Sequence, residues 1–279
     1  MNIYIMSRGR AGKVNTLKWI PESWRERVHI VVGQEELQDY AEYYDPACII
    51  EASKHVTNYS QKFQWIMDGL PDKNVKYEVN PKCLIMDDDL VFSQRDSLRR
   101  LISIKTADSM PEMFEQIESM LDEYALVGVH PRQMGQNAKV PFVVNGRIIC
   151  MQGINRAKVG HVKVDQFPIL ADVVLNCTLL SRGQPNAILT TYFQDHGPCQ
   201  APGGCSVYRT PDMQRGAVEY LAERFPGYVK VVERVTKDKW LANEKGVRYD
   251  YTCQWKALYA AGVDYTRGLC DSPDREVSK

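Results

Sequence analysis

Over the first hundred residues, short apolar runs alternate with amphipathic stretches. Residues 3–6 form an apolar run that stops at Ser7-Arg8-Gly9-Arg10, and residues 28–32 form a second, closed by Gly33. Residues 48–50 and 83–86 form two more, and the last runs directly into Asp87-Asp88-Asp89. Short apolar runs bounded by turn residues predict buried strands. Between them, residues 35–44 and 59–70 predict helices, the second from the stripe of Tyr59, Phe63, Ile66, Met67 and Leu70. Strands interleaved with helices imply βαβ units and a mainly parallel sheet flanked by helices. Ligands of such sheets bind beyond the carboxyl ends of the strands. The Ser7-Arg8-Gly9-Arg10 and Asp87-Asp88-Asp89 clusters both fall at such ends.

The second half of the chain is less regular. Residues 111–124 predict a helix with Pro111 at its start and Glu112 in its first turn. Residues 125–129 predict a strand leading to His130-Pro131-Arg132. Residues 140–144 and 147–151 flank Asn145-Gly146, a dipeptide that predicts a β-hairpin. Residues 168–182 predict an apolar helix stopped by Gly183. A strand over 187–193 precedes Gln194-Asp195-His196-Gly197. A helix over 214–225 and strands over 229–232 and 247–251 complete the pattern, and the residues from Asp271 read as a tail. The expected fold class is α/β, a compact core followed by a C-terminal extension.

Composition narrows the function without naming it. The 279 residues are enough to bury a sizeable core. Lys and Arg number 35, and so do Asp and Glu. That balance gives no global basic signal for nucleic acid and no acidic-tail signal, while leaving room for a local basic groove. The eight cysteines, at 48, 83, 150, 177, 199, 205, 253 and 270, include no Cys-x-x-Cys pair. This argues against a zinc knuckle and against a small disulfide scaffold. Buried, reduced thiols are expected, with a pairing of Cys199 and Cys205 left open. No apolar run reaches the roughly 18 residues of a membrane span, and the N-terminus lacks the features of a signal peptide. A soluble, cytoplasmic protein is the expectation.

Four clusters carry chemistry. Three adjacent carboxylates, Asp87, Asp88 and Asp89, repel one another unless a divalent cation lies among them, and their hard oxygens suit Mg²⁺ or Mn²⁺. The alternative is a solvated acidic turn. Arg8, Arg10 and Lys13, with Gly9 and Gly12, follow Ser7 at the end of the first strand. Arginine forks pair with phosphate, and glycine lets backbone approach a ligand. The spacing is not that of a P-loop, and an exposed basic loop is the alternative. His196 beside Asp195 could complete a metal or phosphate site, or be a turn residue. Asp172 stands alone in an apolar helix, either as a cap or surface residue or as a general base whose proton affinity is raised by apolar surroundings. His29, His55 and His161 have no partners in sequence and read as structural.

Together these features resemble the GT-A nucleotide-sugar glycosyltransferases. The first strand, its Ser7-Arg8-Gly9-Arg10 loop and the Asp-x-Asp pattern of Asp87 and Asp89 carry the likeness. The N-terminal segment with Thr16-Leu17 further resembles the bacteriophage TET-associated glycosyltransferases, implicated in sugar transfer to hydroxymethylated pyrimidines of phage DNA. The resemblance covers residues 1–200. It implies a GT-A core with a nucleotide-sugar half at 1–108, an acceptor half at 109–200 and an extension at 201–279. It implies a UDP-sugar donor, a Mn²⁺ or Mg²⁺ cofactor and an acceptor such as hydroxymethylcytosine in DNA, for a phage protein working in the host cytoplasm.

By the same likeness, Asp89, Asp87 and His196 would hold the metal. Ser7, Arg8, Arg10, Asp87 and Asp88 would bind the nucleotide-sugar, and Asp172 would be the catalytic base. Ala171 replaces the first acid of the family's usual pair, which leaves base and stereochemical outcome open. Contacts to DNA would come from Arg95, Arg99, Arg100 and Lys105, or from Arg132, Arg147, Arg156, Lys158 and Lys163, with Arg132, Arg156 and Lys158 foremost. Charge that only solvates the surface is the alternative. Other readings are transfer to a glycan, lipid or protein, nucleotidyl transfer, and non-catalytic nucleotide or DNA binding.

Overall fold

The computed structural model describes residues 1–71, 80–98, 100–133, 139–197, 202–235 and 246–270. Its strands are β1 Asn2–Met6, β2 Val28–Val32, β3 Ile49–Glu51, β4 Lys82–Asp87, β5 Leu90–Arg95, β6 Leu101–Ser103, β7 Leu126–Pro131, β8 Phe142–Val144, β9 Met151–Asn155, β10 Asn186–His196, β11 Val229–Val235 and β12 Val247–Cys253. The helices are α1 Leu37–Ala41, α2 Tyr59–Met67, α3 Pro111–Met120, α4 Arg156–Val159, α5 Ala171–Ser181, α6 Pro211–Arg224 and α7 Trp255–Cys270. The central sheet is mixed, in the order β3-β2-β1-β4-β9-β7-β10-β5-β6, with β8 also paired to β10; β11 and β12 form a separate ribbon.

Strands β1 to β4 pair in parallel, as the alternation of strand and helix requires. The antiparallel strand β9 lies between β4 and β7, so β7 and its parallel neighbour β10 run the same way as β4. The carboxyl ends of β1, β4, β7 and β10 thus share one edge. Met6, Asp87, Pro131 and His196 come together there, beside the amino end of β9.

Side chains alternate between two apolar layers. Tyr4, Cys83, Ile85 and Ile188 face a layer formed with α2, α5, α6 and α7. Ile3, Ile5, Leu84, Met86 and Leu189 face a second layer with Trp24, Tyr40 and α3. A sheet buried on both faces needs strands that are apolar at nearly every position, and β2 is buried throughout.

The predicted hairpin at Asn145-Gly146 does not form. Asn145 takes the left-handed conformation at φ +58° but Gly146 does not, so the two-residue hairpin turn with two positive φ values is absent. The Gly146 amide donates to Asn186 Oδ1 at 3.1 Å, and its carbonyl accepts from Asn176 Nδ2 at 2.9 Å and Asn186 Nδ2 at 2.8 Å. The flanking strands go to different partners, β8 to β10 and β9 to β4 and β7. The helix expected over 35–44 is also shorter, a 3₁₀ turn followed by α1.

Helix α7, which sequence periodicity did not reveal, docks on α5. Gly262 makes the approach possible: a Cβ there would lie 2.6 Å from the Leu180 carbonyl oxygen and 2.7 Å from that of Ser181. Gly262→Val is expected to destabilise the fold by about 1–3 kcal/mol through overpacking. An unchanged melting temperature would show that this contact is not formed. Among the described residues, no helix is long and apolar enough to cross a membrane, and the described cysteines with assigned states, Cys205 included, are free thiols. Cys199 lies outside the described residues, and so does its pairing with Cys205.

Candidate functional site

A cleft of about 210 Å³ opens at the carboxyl edge of the sheet, lined by Asp87, Asp88, Asp89, Asp172, His196, Arg10 and Arg209, among others. Four of its segments come from strand ends. Parallel pairing of β1 with β4 sets Met6 opposite Asp87. Antiparallel pairing of β10 with β5 sets His196 opposite Leu90, next to Asp89.

The turn that carries the aspartates is held by Thr16. Its hydroxyl donates to the Asp87 carbonyl at 2.6 Å and accepts from the Leu90 amide at 2.9 Å, while its amide donates to the Asp88 carbonyl at 3.1 Å. The three carboxylates then take different environments. Asp88 is 3% exposed. It accepts from the Ser7 hydroxyl and the Arg10 guanidinium, so its charge is met from inside the protein. Asp89 also pairs with Arg10, at 2.9 Å, and is partly open to the cleft. Asp87 accepts from the Cys150 thiol. Burial, and then the charges of Asp89, Asp172 and Asp88, push its carboxyl well above the ordinary value.

Across the cleft, Asp172 lies in the first turn of α5. The preceding Leu170 caps that helix in the left-handed region, at φ +69°, and Cys150 on the opposite wall is at φ +62°. Such conformations cost free energy in residues with a side chain and gather at functional sites. Burial pushes the Asp172 carboxyl up, against the opposing pull of the Val173 amide and the charges of Arg147 and Arg209.

Residues 203–209, in the expected extension, close the cleft. The Gly204 amide donates to the Arg8 carbonyl at 2.7 Å, and Arg10 Nε donates to the Pro202 carbonyl at 3.1 Å. Gly203, at φ +94°, fits so closely that a Cβ would sit 2.6 Å from Arg10 Cγ. Tyr208 accepts from the Tyr59 amide at 2.8 Å, and the Arg8 guanidinium lies over its ring at 5.3 Å. Arg209 lines the cleft, and its Nε finds no hydrogen-bond partner among the described residues. Sequence reasoning missed Tyr59, Cys150, Leu170, Cys205 and Arg209. The one signal was the Gly203-Gly204 pair, a mark of close backbone approach.

A smaller pocket adjoins the cleft, lined by Ser7, Arg8, Glu36, Asn58, Tyr59 and Lys62 among others. Lys62 is buried there, its ammonium donating to the carbonyls of Ser7 at 2.9 Å and Val31 at 3.1 Å. Burial lowers its pKa to about 8. Glu36 Oε1 accepts from the Gly9 amide, while Oε2 has no partner among the described residues.

The donor set suits a hard divalent cation. Asp87 and Asp89 offer carboxylate oxygens. His196 Nδ1 lies 2.6 Å from the Gly197 carbonyl, which can only accept, so Nδ1–H donates there and Nε2 is the nitrogen that the neutral ring offers to a metal. Among the described residues, no three His, Cys, Asp or Glu side chains already form a metal cage. Mg²⁺-type sites are commonly built from one or two carboxylates completed by water and substrate phosphates, and the residues present fit that kind of open site.

The expected DNA contacts divide. Arg132 is exposed, just beyond the carboxyl end of β7 on the cleft edge. Arg156 and Lys158 follow β9, whose direction puts them on the opposite edge of the sheet. The Arg156 guanidinium donates to the carbonyls of Met67 at 3.1 Å, Asn80 at 2.5 Å and Ile66 at 2.8 Å, closing the end of α2. Neither residue therefore lies with the groups that line the cleft. Arg95 donates to the Thr190 carbonyl at 3.3 Å, and Arg100 pairs with Asp96 at 2.7 Å. Lys105 and Lys163 are exposed, and Arg99 lies outside the described residues.

Comparison with known proteins gives this site a family. The chain is 23% identical over 257 residues to the beta-glucosyl-HMC-alpha-glucosyl-transferase of Enterobacteria phage T6, covering 86% of this chain and 87% of that protein. The protein of the same name from Enterobacteria phage T2 matches at 23% over 257 residues with the same coverage. The TET-associated glycosyltransferase family matches residues 1–194, which include β1 to β9, the three aspartates and Asp172. A strand-end cleft with three carboxylates and an opposed acidic residue thus stands within a match spanning most of the chain, which belongs to the TET-associated glycosyltransferases and is a glycosyltransferase.

Proposed function

We propose that this enzyme moves a sugar from a UDP-sugar to a hydroxyl on a hydroxymethylated pyrimidine of phage DNA, in a metal-dependent reaction in the host cytoplasm. The observation that carries the reading is the convergence of Asp87, Asp89, His196, Asp172 and Arg209 on one cleft, with a smaller pocket beside it. In that pocket Glu36 Oε2 accepts from hydroxyl or imino donors of the nucleoside, and Arg8 and Tyr208 close over it. Asp87, Asp89 and His196 hold the Mn²⁺ or Mg²⁺. When bound, the cation neutralises charge on the departing diphosphate.

Within the protein, Arg209 supplies a planar cation to the same diphosphate. Arg10 keeps Asp88 and Asp89 in place. Asp172 accepts the proton of the attacking hydroxyl, and the closed cleft holds donor and acceptor in line. Arg209→Ala is expected to raise KM for the donor about tenfold or more, through loss of a charge-assisted bond. Initial rates across a UDP-glucose titration check this, and an unchanged KM would remove Arg209 from the donor site.

A second reading of the acceptor comes from the phage T6 and T2 relatives, whose names place an alpha-glucosyl group on beta-glucosyl-HMC. On that pattern the attacking hydroxyl belongs to a glucose already on the base. Incubation with UDP-glucose and Mn²⁺, followed by nucleoside mass spectrometry, separates the two. Hydroxymethylcytosine DNA and its beta-glucosylated form serve as acceptors. A gain of one hexose on the first supports direct transfer, and a gain only on the second supports disaccharide formation. No gain on either overturns the DNA reading.

A further inference from the structure

A cavity of about 550 Å³ is separate from the donor cleft. It opens between the end of β7, β8 and the first turn of α7. Its size is in the range of ligand pockets. Among the described residues its wall contains His130, Asn145, Arg147, Trp255 and Lys256 and no carboxylate, a lining of one sign in a chain whose net charge is zero.

Three observations show what such a wall fits. Trp255 is half-buried, held edge-on against Tyr251 with ring centroids 6.4 Å apart, and still lines the cavity. Indole presented this way is a platform for a nucleic-acid base. Arg147 lies over the Tyr251 ring at 5.4 Å, and the cavity rim carries exposed Lys256. Two cations with an aromatic face between apolar walls is the combination that grips single-stranded or extruded nucleotides. The floor is rigid, because the Asn145-Gly146 turn is tied down by fully buried Asn176 and Asn186. Asn145 Oδ1 and Arg147 Nε have no hydrogen-bond partner among the described residues.

The cavity also communicates with the chemistry. Arg147 is close enough to Asp172 for the two charges to act on each other. Arg147, which lines the cavity, thus also acts on the acid that faces the donor cleft.

We propose that this cavity receives a nucleotide of the acceptor DNA strand, its base on Trp255 and its phosphate between Arg147 and Lys256. The proposal rests on the DNA-acceptor reading above and goes beyond it by giving the DNA a docking place on the enzyme. A strand seated there delivers the neighbouring target group toward Asp172. Extrusion of a nucleotide from the duplex is the usual way for an enzyme to reach a base substituent.

The test measures DNA binding without turnover. Binding of the full-length protein to a fluorescent duplex with one beta-glucosyl-hydroxymethylcytosine, or one hydroxymethylcytosine, is followed by anisotropy across a salt series. Trp255→Ala is expected to weaken binding about tenfold. Lys256→Gln, a change at an exposed position, is expected to lower the slope of log affinity against log salt by about one. UDP-glucose affinity is expected to be the same in both variants as in the parent, which also reports an intact fold. If the parent binds and glycosylates modified DNA but Lys256→Gln and Lys256→Glu keep its affinity and salt slope, the cavity assignment fails and the DNA reading stands. If the parent binds neither duplex, both fail.

Discussion

Asp172→Asn is expected to slow sugar transfer by about 10²–10⁴-fold at neutral pH, the range for loss of a general base, and at the same time to raise the melting temperature. Both effects have one cause. The Asp172 carboxyl lies on the cleft wall at the start of α5, and burial raises its proton affinity despite Arg147 and Arg209. A carboxyl with a folded pKa above its unfolded one binds protons more tightly in the native state. Stability therefore falls as pH rises through the window above the ordinary carboxylate value, and the deficit persists at neutral pH. Asparagine keeps the shape and removes the charge, at a gain of about 2–4 °C for each kcal/mol relieved.

The two readouts separate a base from a merely structural acid. The acid limb of the parent's kcat/KM profile is expected above the range of an exposed carboxylate, because the base works only when ionised. The difference in melting temperature between parent and Asn variant is expected to widen as pH is raised from about 4 and then level off. Full activity in Asp172→Asn removes it as the base. A lower melting temperature in that variant shows that the attraction of Arg147 and Arg209 outweighs the cost of burying the charge.

Asp89→Ala is expected to cost about 10²–10³-fold in transfer, the scale for losing an electrostatic stabiliser in a water-poor site. It is also expected to abolish the heat stabilisation that Mn²⁺ and UDP together give the parent. Asp89 differs from its neighbours in position rather than chemistry. Asp88 is sealed beneath it by Ser7 and Arg10, and Asp87 faces Cys150 and Asp172. Asp89 is half-buried at the cleft, with Arg10 on one oxygen and His196 brought alongside by the β5–β10 pairing. Asp88→Ala is expected instead to lower stability, since it removes a buried carboxylate that accepts from both Arg10 and the Ser7 hydroxyl. Calorimetric titration of Mn²⁺ into the UDP complex checks the assignment. Unchanged Mn²⁺ affinity in Asp89→Ala would place the metal elsewhere.

Much of this site is written locally in the chain. β1, β2 and β4 follow from uninterrupted apolar runs, because strands buried on both faces have no polar face to reveal. The position of Asp87-Asp88-Asp89 at a strand end follows from the run that precedes it. His196 was legible as a polar residue after a strand, although it is the last residue of β10 itself. Asn145-Gly146 shows the limit. Its turn chemistry was read correctly at Asn145, but turn chemistry does not choose strand partners. That choice was made by Asn176 and Asn186, far along the chain and fully buried.

The sequence by itself determined the class of fold, the edge where chemistry gathers and the kind of chemistry, because periodicity and charge crowding are local properties. Only the tertiary structure decided which groups meet. It placed Arg209 and Gly203, from the predicted extension, over Arg10. It set His196 beside Asp89 through antiparallel pairing, and carried Arg156 and Lys158 to the far edge through the direction of β9. It also resolved the zero net charge into an acidic cleft and a cavity whose charged groups, among the described residues, are cationic. Those outcomes depend on strand direction and long-range pairing, which bury surface between segments whose separation along the chain leaves no local pattern to read.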